Sequence, residues 1–418
     1  MVRIAGLIAA LVACSPLEAA RQQPIDLATA WTRTAITAGS PTGARRGADG
    51  VAVDAEGCIV TPWEEGGAVT RACPSGGGWI TEQVATGLPG VEDAKAADLD
   101  GDGVIDVVSC SDGGGRCYVT FRGAPNVTTT LTGSQGHGRA MQAAIGDISG
   151  DGLPDIAFGT RAGSYASPAV IGWLENPGVT ARTGSTWAYH LVDLAGWVMA
   201  LVLIDVDHDG DLDIVTSDRS YVYGPGGTHL WDRYGARWLE QTTAGWVSHA
   251  ISPPSGSCPV GQPLCATKTP GDERFLTVDG DTVWDCQSST AAAYSRIVKH
   301  STADWLTWTH EVLPPAANVS HCQGIAITDV DGDGRADVVV SGWKGDALPL
   351  ASPIAGTSAV YWLRDDGAGT WERGEISGTA GGKYDNVIRL GACVVTSEEL
   401  DPAGGLGVVE YCPPGGAP

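Results

Sequence analysis

The stretches DLDGDGVID (98–106), DISGDGLPD (147–155), DVDHDGDLD (205–213) and DVDGDGRAD (329–337) are one nonapeptide written four times. Oxygen-bearing side chains stand at its first, third, fifth and ninth positions: Asp98, Asp100, Asp102 and Asp106; Asp147, Ser149, Asp151 and Asp155; Asp205, Asp207, Asp209 and Asp213; Asp329, Asp331, Asp333 and Asp337. Glycine holds the sixth position, where the chain must turn sharply, and an apolar run follows each copy. So many carboxylates in so short a loop repel one another unless a cation sits among them. Ca²⁺ takes six to eight oxygens at about 2.3–2.6 Å and answers that need, so the pattern predicts about four bound Ca²⁺. A helical EF-hand would place a bidentate Glu at position 12, and Ser109, Phe158, Thr216 and Val340 stand there instead. The following VVSC, IAFG, IVTS and VVVS read as strands. The loops are therefore expected to be metal turns between β-strands.

Weaker copies fill the gaps. GVAVDAEGCIVTPW (50–63), ERFLTVDGDTVWDC (273–286) and DNVIRLGACVVTSEE (385–399) keep strand, turn and strand but have lost most of the ligands, so no calcium is expected there. Between units recurs a phrase of Trp, polar residues and a branched apolar residue, at Trp31, Trp79, Trp187, Trp246, Trp308 and Trp371, with the alternation of a half-buried strand. Its tryptophans are expected to pack between units. No stretch has sustained helical periodicity. Seven units of about four short strands close most economically as an all-β, seven-bladed β-propeller with calcium-binding loops between the first and second strands of its blades. A strand ahead of Trp31 is expected to complete the last blade. One propeller over 26–418 accounts for the length better than two or three average domains.

The nonapeptides resemble the FG-GAP repeats of integrin α-chain propellers and the related VCBS repeats of bacterial secreted proteins, and the resemblance runs from about Trp31 onward. TPWEEGG (61–67), VEDAKAADLDGDG (91–103), AGWVMALVLIDVDHDG (195–210), SDRS (217–220), GARWLE (235–240), KYDNV (383–387) and TSEELDPAGGLGVVEY (396–411) are similar to a subgroup of bacterial VCBS-repeat proteins. The resemblance implies a propeller and calcium sites and no particular reaction. It also implies that the metal turns lie on the face opposite most ligand sites.

Composition fits an exported protein. Residues 1–20 read as a signal peptide, with one Arg3 ahead of IAGLIAALVA, and LVAC ending at Cys14 resembles a bacterial lipobox. An outer-membrane or cell-surface lipoprotein is expected, otherwise an extracellular protein, touching membrane only through that lipid anchor. Ten further cysteines suggest disulfides. Spacing suggests Cys58 with Cys73, Cys110 with Cys117, Cys258 with Cys265 and Cys393 with Cys412, leaving Cys286 and Cys322. Zinc is disfavoured, since there is no CxxC. The net charge of −24 and the lack of a basic stripe exclude nucleic acid as a partner.

If metal turns occupy one face, the loops entering each inner strand and leaving each second strand ring the other channel mouth. These loops nominate Glu65, Glu92, Asp93, Arg139, Trp197, Asp218, Arg219, Arg274, Asp385 and Glu398 as ligand-binding residues. Trp63 and Trp343 join Trp197 as possible aromatic platforms. Arg, carboxylate and Trp together suit a glycan or another cell-surface polymer. The alternatives are a carbohydrate-active enzyme of lyase or dehydratase type, with His137, His321 or Tyr384 as base, and a purely structural surface scaffold. No Ser-His-Asp arrangement, P-loop or dinucleotide fingerprint is present.

Overall fold

The computed structural model describes residues 31–43, 47–162, 169–183, 186–218, 235–252, 273–289, 294–313, 321–343, 359–378, 382–400 and 407–414. The signal peptide, Cys14, Arg219, Cys258 and Cys265 lie outside them.

Strand propensity and the turns decide the local structure. Val, Ile and Thr fill the strands, and glycines at φ of 83°, 89°, 101° and 88° (Gly103, Gly152, Gly210 and Gly334) hold the sixth position of each aspartate-rich turn in the left-handed region. The flanks of those turns are strands, as expected: Ala97 ends one strand and Asp106 begins the next, and the other three copies repeat this. The described residues form seven antiparallel four-stranded blades, spanning 52–86, 91–131, 139–195, 198–250, 273–312, 321–375 and, for the last, 383–412 joined by Thr32–Ala38. Every described helix is a short 3-10 turn, and none is long and apolar enough to cross a membrane.

The core is divided among the seams. Seven clusters of buried apolar side chains each join two adjacent blades, and one of them, with Ile36, Val395 and Val408 against Ile59, Trp63 and Ala72, joins the last blade to the first. The ring is therefore closed by packing. It is closed in the backbone too, because Thr32–Ala38 pairs antiparallel with Gly407–Cys412 as the outer strand of blade 7. That strand follows Trp31 rather than preceding it. The Trp31 phrase is simply the outer strand of its blade, as are those of Trp79, Trp187, Trp246, Trp308 and Trp371. All six tryptophans pack at the seams.

Four disulfides among the described residues add covalent ties. Cys58–Cys73, Cys110–Cys117 and Cys393–Cys412 bind the second and third strands of one blade, and Cys286–Cys322 staples blade 5 to blade 6. Disulfides of this number persist in an oxidising compartment, which points to export.

Candidate functional site

Each inner strand runs from one face of the ring to the face that carries the aspartate-rich turns. Where it begins, its pairing slips by one residue. Glu92, Met141, Met199, Arg274, Gln323 and Asp385 are each skipped in the ladder to the second strand, a β-bulge repeated in six of the seven blades. A bulge leaves one residue unpaired and re-aims its side chain, and such bulges gather at barrel rims and binding sites. Here Glu92, Met141, Met199, Gln323 and Asp385 turn into one cavity of about 140 Å³ at the channel mouth. Asp49, Gly50, Asp93, Gln142, Trp197, Phe275, Lys383 and Asn386 complete its wall.

The cavity is strongly acidic. Lys383 Nζ lies 2.8 Å from Asp385 Oδ1 and also contacts Glu399. Asp93 takes Lys95 Nζ at 2.5 Å and, through its other oxygen, the Ala143 N–H at 2.9 Å, which ties blade 2 to blade 3. Burial pushes Glu92 up to about 8, with Glu64, Asp112 and Asp385 adding repulsion and Arg161 opposing it. Asp49 is raised well above the carboxylate range by burial and by Asp385, Glu92 and Glu64. Gln323 is 4% exposed, and its Nε2 has no hydrogen-bond partner among the described residues. A buried amide left this way is costly unless something in the cavity meets it.

Trp197 forms the aromatic wall, and two supports fix it. The Arg161 guanidinium sits 4.3 Å over its ring and is itself held by Asp112, with Nε 2.9 Å from Oδ1. Behind it, the fully buried Asp218 accepts the N–H groups of Gly196 (2.8 Å) and Trp197 (3.1 Å), and Arg237, 1% exposed, bonds Asp218 at 3.2 Å and also Asp193.

Of the nominated ligand residues, Glu92, Asp93, Trp197 and Asp385 line the cavity. The others that can be placed do not. Arg139 pairs with Asp112 at 3.3 Å outside it, Glu65 is exposed in the turn after Trp63, and Asp218 is a buried support. Glu398 is buried in blade 7, accepting Arg33 Nη2 at 3.2 Å. The side chains of Arg274, His321 and Trp343 lie outside the described residues. Trp63 is fully buried in the seam between blades 7 and 1, with Nε1 2.9 Å from Thr70 Oγ1. His137 stacks on Tyr189 with ring centroids 4.3 Å apart, away from the cavity, and burial lowers its pKa. Tyr384 is fully buried, its hydroxyl 2.8 Å from that of Tyr411, and burial raises its pKa far from any basic role.

Sequence reading passed over Met141, Met199 and Gln323, yet a signal was there. In all four blades that carry the nonapeptide the bulged residue stands six places ahead of the first turn aspartate: 92 to 98, 141 to 147, 199 to 205 and 323 to 329.

On the opposite face, the four turns share one frame. The ninth-position carboxylate is buried and accepts the second-position N–H at 2.9–3.1 Å, as Asp106 does from Leu99, Asp155 from Ile148, Asp213 from Val206 and Asp337 from Val330. Its other oxygen accepts the N–H of Arg122, Asn176, Gln241 or Asp365, at the end of the third strand. Carboxylate oxygens come within 4.8 Å of one another in three turns, as Asp98, Asp100 and Asp106, as Asp205, Asp207 and Asp213, and as Asp329, Asp331 and Asp333. The donor sets are all oxygen, and the buried Asp205 Oδ1 has no partner among the described residues, so these three turns fit a hard cation. The 147–155 turn, with Ser149 in place of a carboxylate, forms no such group. Guanidinium groups already offset some of the charge, Arg182 at Asp100 and Asp102 and Arg364 at Asp331.

The FG-GAP-like repeat matches residues 98–158, which hold the first two aspartate-rich turns. Solved propellers superpose on nearly the whole ring. Virginiamycin B lyase from Staphylococcus aureus covers 91% of this chain and 98% of its own length at 10% identity and a TM-score of 0.55. YCF48 from Cyanidioschyzon merolae covers 92% and 99% at 11% identity and 0.51. The extracellular domain of BT4673 from B. thetaiotaomicron covers 91% of this chain and 40% of that one, at 10% identity and 0.51. At such identities the likeness is one of fold. No curated protein matches the sequence.

Proposed function

We propose that this FG-GAP-repeat propeller is an exported binding protein that seats a sugar unit of a surface glycan in the bulge-lined cavity. The observation that carries this reading is the convergence of five bulged residues with Trp197 and the unmet Gln323 amide on one cavity. An indole face stacks on the apolar side of a sugar ring, while amides and carboxylates take its hydroxyls. Trp197→Ala is expected to weaken capture on a glycan array at least tenfold without lowering the melting temperature by more than a few degrees. Undiminished capture by that variant would place the site elsewhere.

The same proposal includes structural calcium in the turns that begin at Asp98, Asp205 and Asp329. The ion would neutralise carboxylates that otherwise repel and would stiffen the bend between first and second strands. A site held at a hundred times its Kd contributes about 2.7 kcal/mol. Excess chelator should therefore lower the Tm by on the order of 10 °C. A melting curve that chelator leaves unmoved would remove calcium from the account.

A further inference from the structure

We infer that the ligand carries a protonated primary amine, so that the sugar this cavity takes is an amino sugar seated with its ammonium between Asp49 and Glu92. The inference rests on the glycan reading of the same cavity and adds the charge of the ligand to it.

The charges lining the cavity are unbalanced. Four carboxylates, Asp49, Glu92, Asp93 and Asp385, face one lining cation, Lys383, which is committed to Asp385 and Glu399. Asp93 is matched by Lys95. Asp49 and Glu92 form no ion pair with any described residue. Asp49 Oδ2 accepts the Glu64 N–H at 3.0 Å, a contact that orients it, and Lys383 offsets only part of the repulsion that Asp385, Glu92 and Glu64 exert on it. A uronate or sulfated sugar would add repulsion here, and a neutral sugar would leave the two carboxylates uncompensated. An ammonium supplies up to three N–H donors for their oxygens.

The second observation is independent of charge. Gln323, almost wholly buried in the cavity wall, offers an amide nitrogen with no partner among the described residues, which a ring hydroxyl can meet. Trp197 and Phe275 provide faces against which a cation or a sugar ring packs. Donor, acceptor and aromatic requirements thus converge on a hydroxylated ring bearing one positive charge.

Burial raises the pKa of Glu92 first, Glu64, Asp112 and Asp385 add to it and Arg161 opposes it, and the Asp49 carboxylate interacts with Glu92 as well. A bound ammonium favours the ionised carboxylate. Binding at pH 7 should therefore release a proton.

Calorimetric titration of the full-length protein with glucosamine oligosaccharides and their N-acetylated counterparts tests the idea. The amine form is expected to bind at least tenfold more tightly, and its heat should vary with the ionisation heat of the buffer. Glu92→Gln and Asp385→Asn, both close in shape to the native residues, separate the two carboxylates. Glu92→Gln should abolish both the preference and the buffer dependence while retaining the weaker binding of the N-acetyl form. Asp385→Asn should keep the preference. Equal affinity for the two forms would overturn the ammonium inference and leave the glycan site standing. Binding of a linear polyamine without either oligosaccharide would support the ammonium and overturn the glycan. Binding of none of the three would overturn both.

Discussion

Asp218→Ala is expected to destabilise the protein by about 3 kcal/mol and to weaken ligand capture in the same variant, because removing one partner of a buried pair strands the other charge. Arg237 would keep Asp193 but lose Asp218, and both are sealed from water. The Gly196 and Trp197 N–H groups would lose their acceptor, so the indole that walls the cavity would no longer be held from behind. Asp218→Asn, which keeps an oxygen for those two donors, should cost less stability and preserve capture. Urea unfolding measures the first effect and titration the second. A loss under about 1 kcal/mol for the alanine variant would mean that Arg237 is satisfied without Asp218.

Deleting residues 31–38 should be comparably severe. That strand pairs with Gly407–Cys412 and buries Trp31 and Ile36 in the seams on either side of blade 7. Two large apolar side chains account for about 3–6 kcal/mol. The deletion also bares an edge strand of Gly-Val-Val-Glu-Tyr-Cys, which invites pairing between molecules. A Tm lower by on the order of 10 °C, with aggregates on size exclusion, is the expected result. A truncated protein that stays monomeric and melts like the full chain would show that packing alone closes the ring.

How much of this was legible in the sequence depended on range. The aspartate-rich turns, the strands around them and the seven units follow from local patterns: aspartates at fixed spacing, glycine where φ is positive, and apolar alternation. The Trp phrases declared themselves as one strand type, and in the structure they are the outer strands. What the sequence hid was long-range. Tyr384 looks like a loop residue beside Asp385 until Tyr411, on the third strand of its blade, buries it. Arg139 reads as a ligand grip, but Asp112 on the neighbouring blade holds it outside the cavity. A bulge is a mismatch between two strands, so alternation within one strand cannot reveal it. Only the constant six-residue offset from the aspartate-rich turn carried that information. Ser149 stands where the three turns that gather carboxylates have aspartate.

The slipped residue at the head of six of the seven inner strands is skipped in the ladder to the second strand, and Met141, Met199 and Gln323 belong to none of the apolar clusters at the seams. Affinity and architecture are thereby uncoupled in this molecule. A new selectivity can be composed by changing Met141, Met199 or Gln323 one blade at a time, on a scaffold that stays indifferent to the choice.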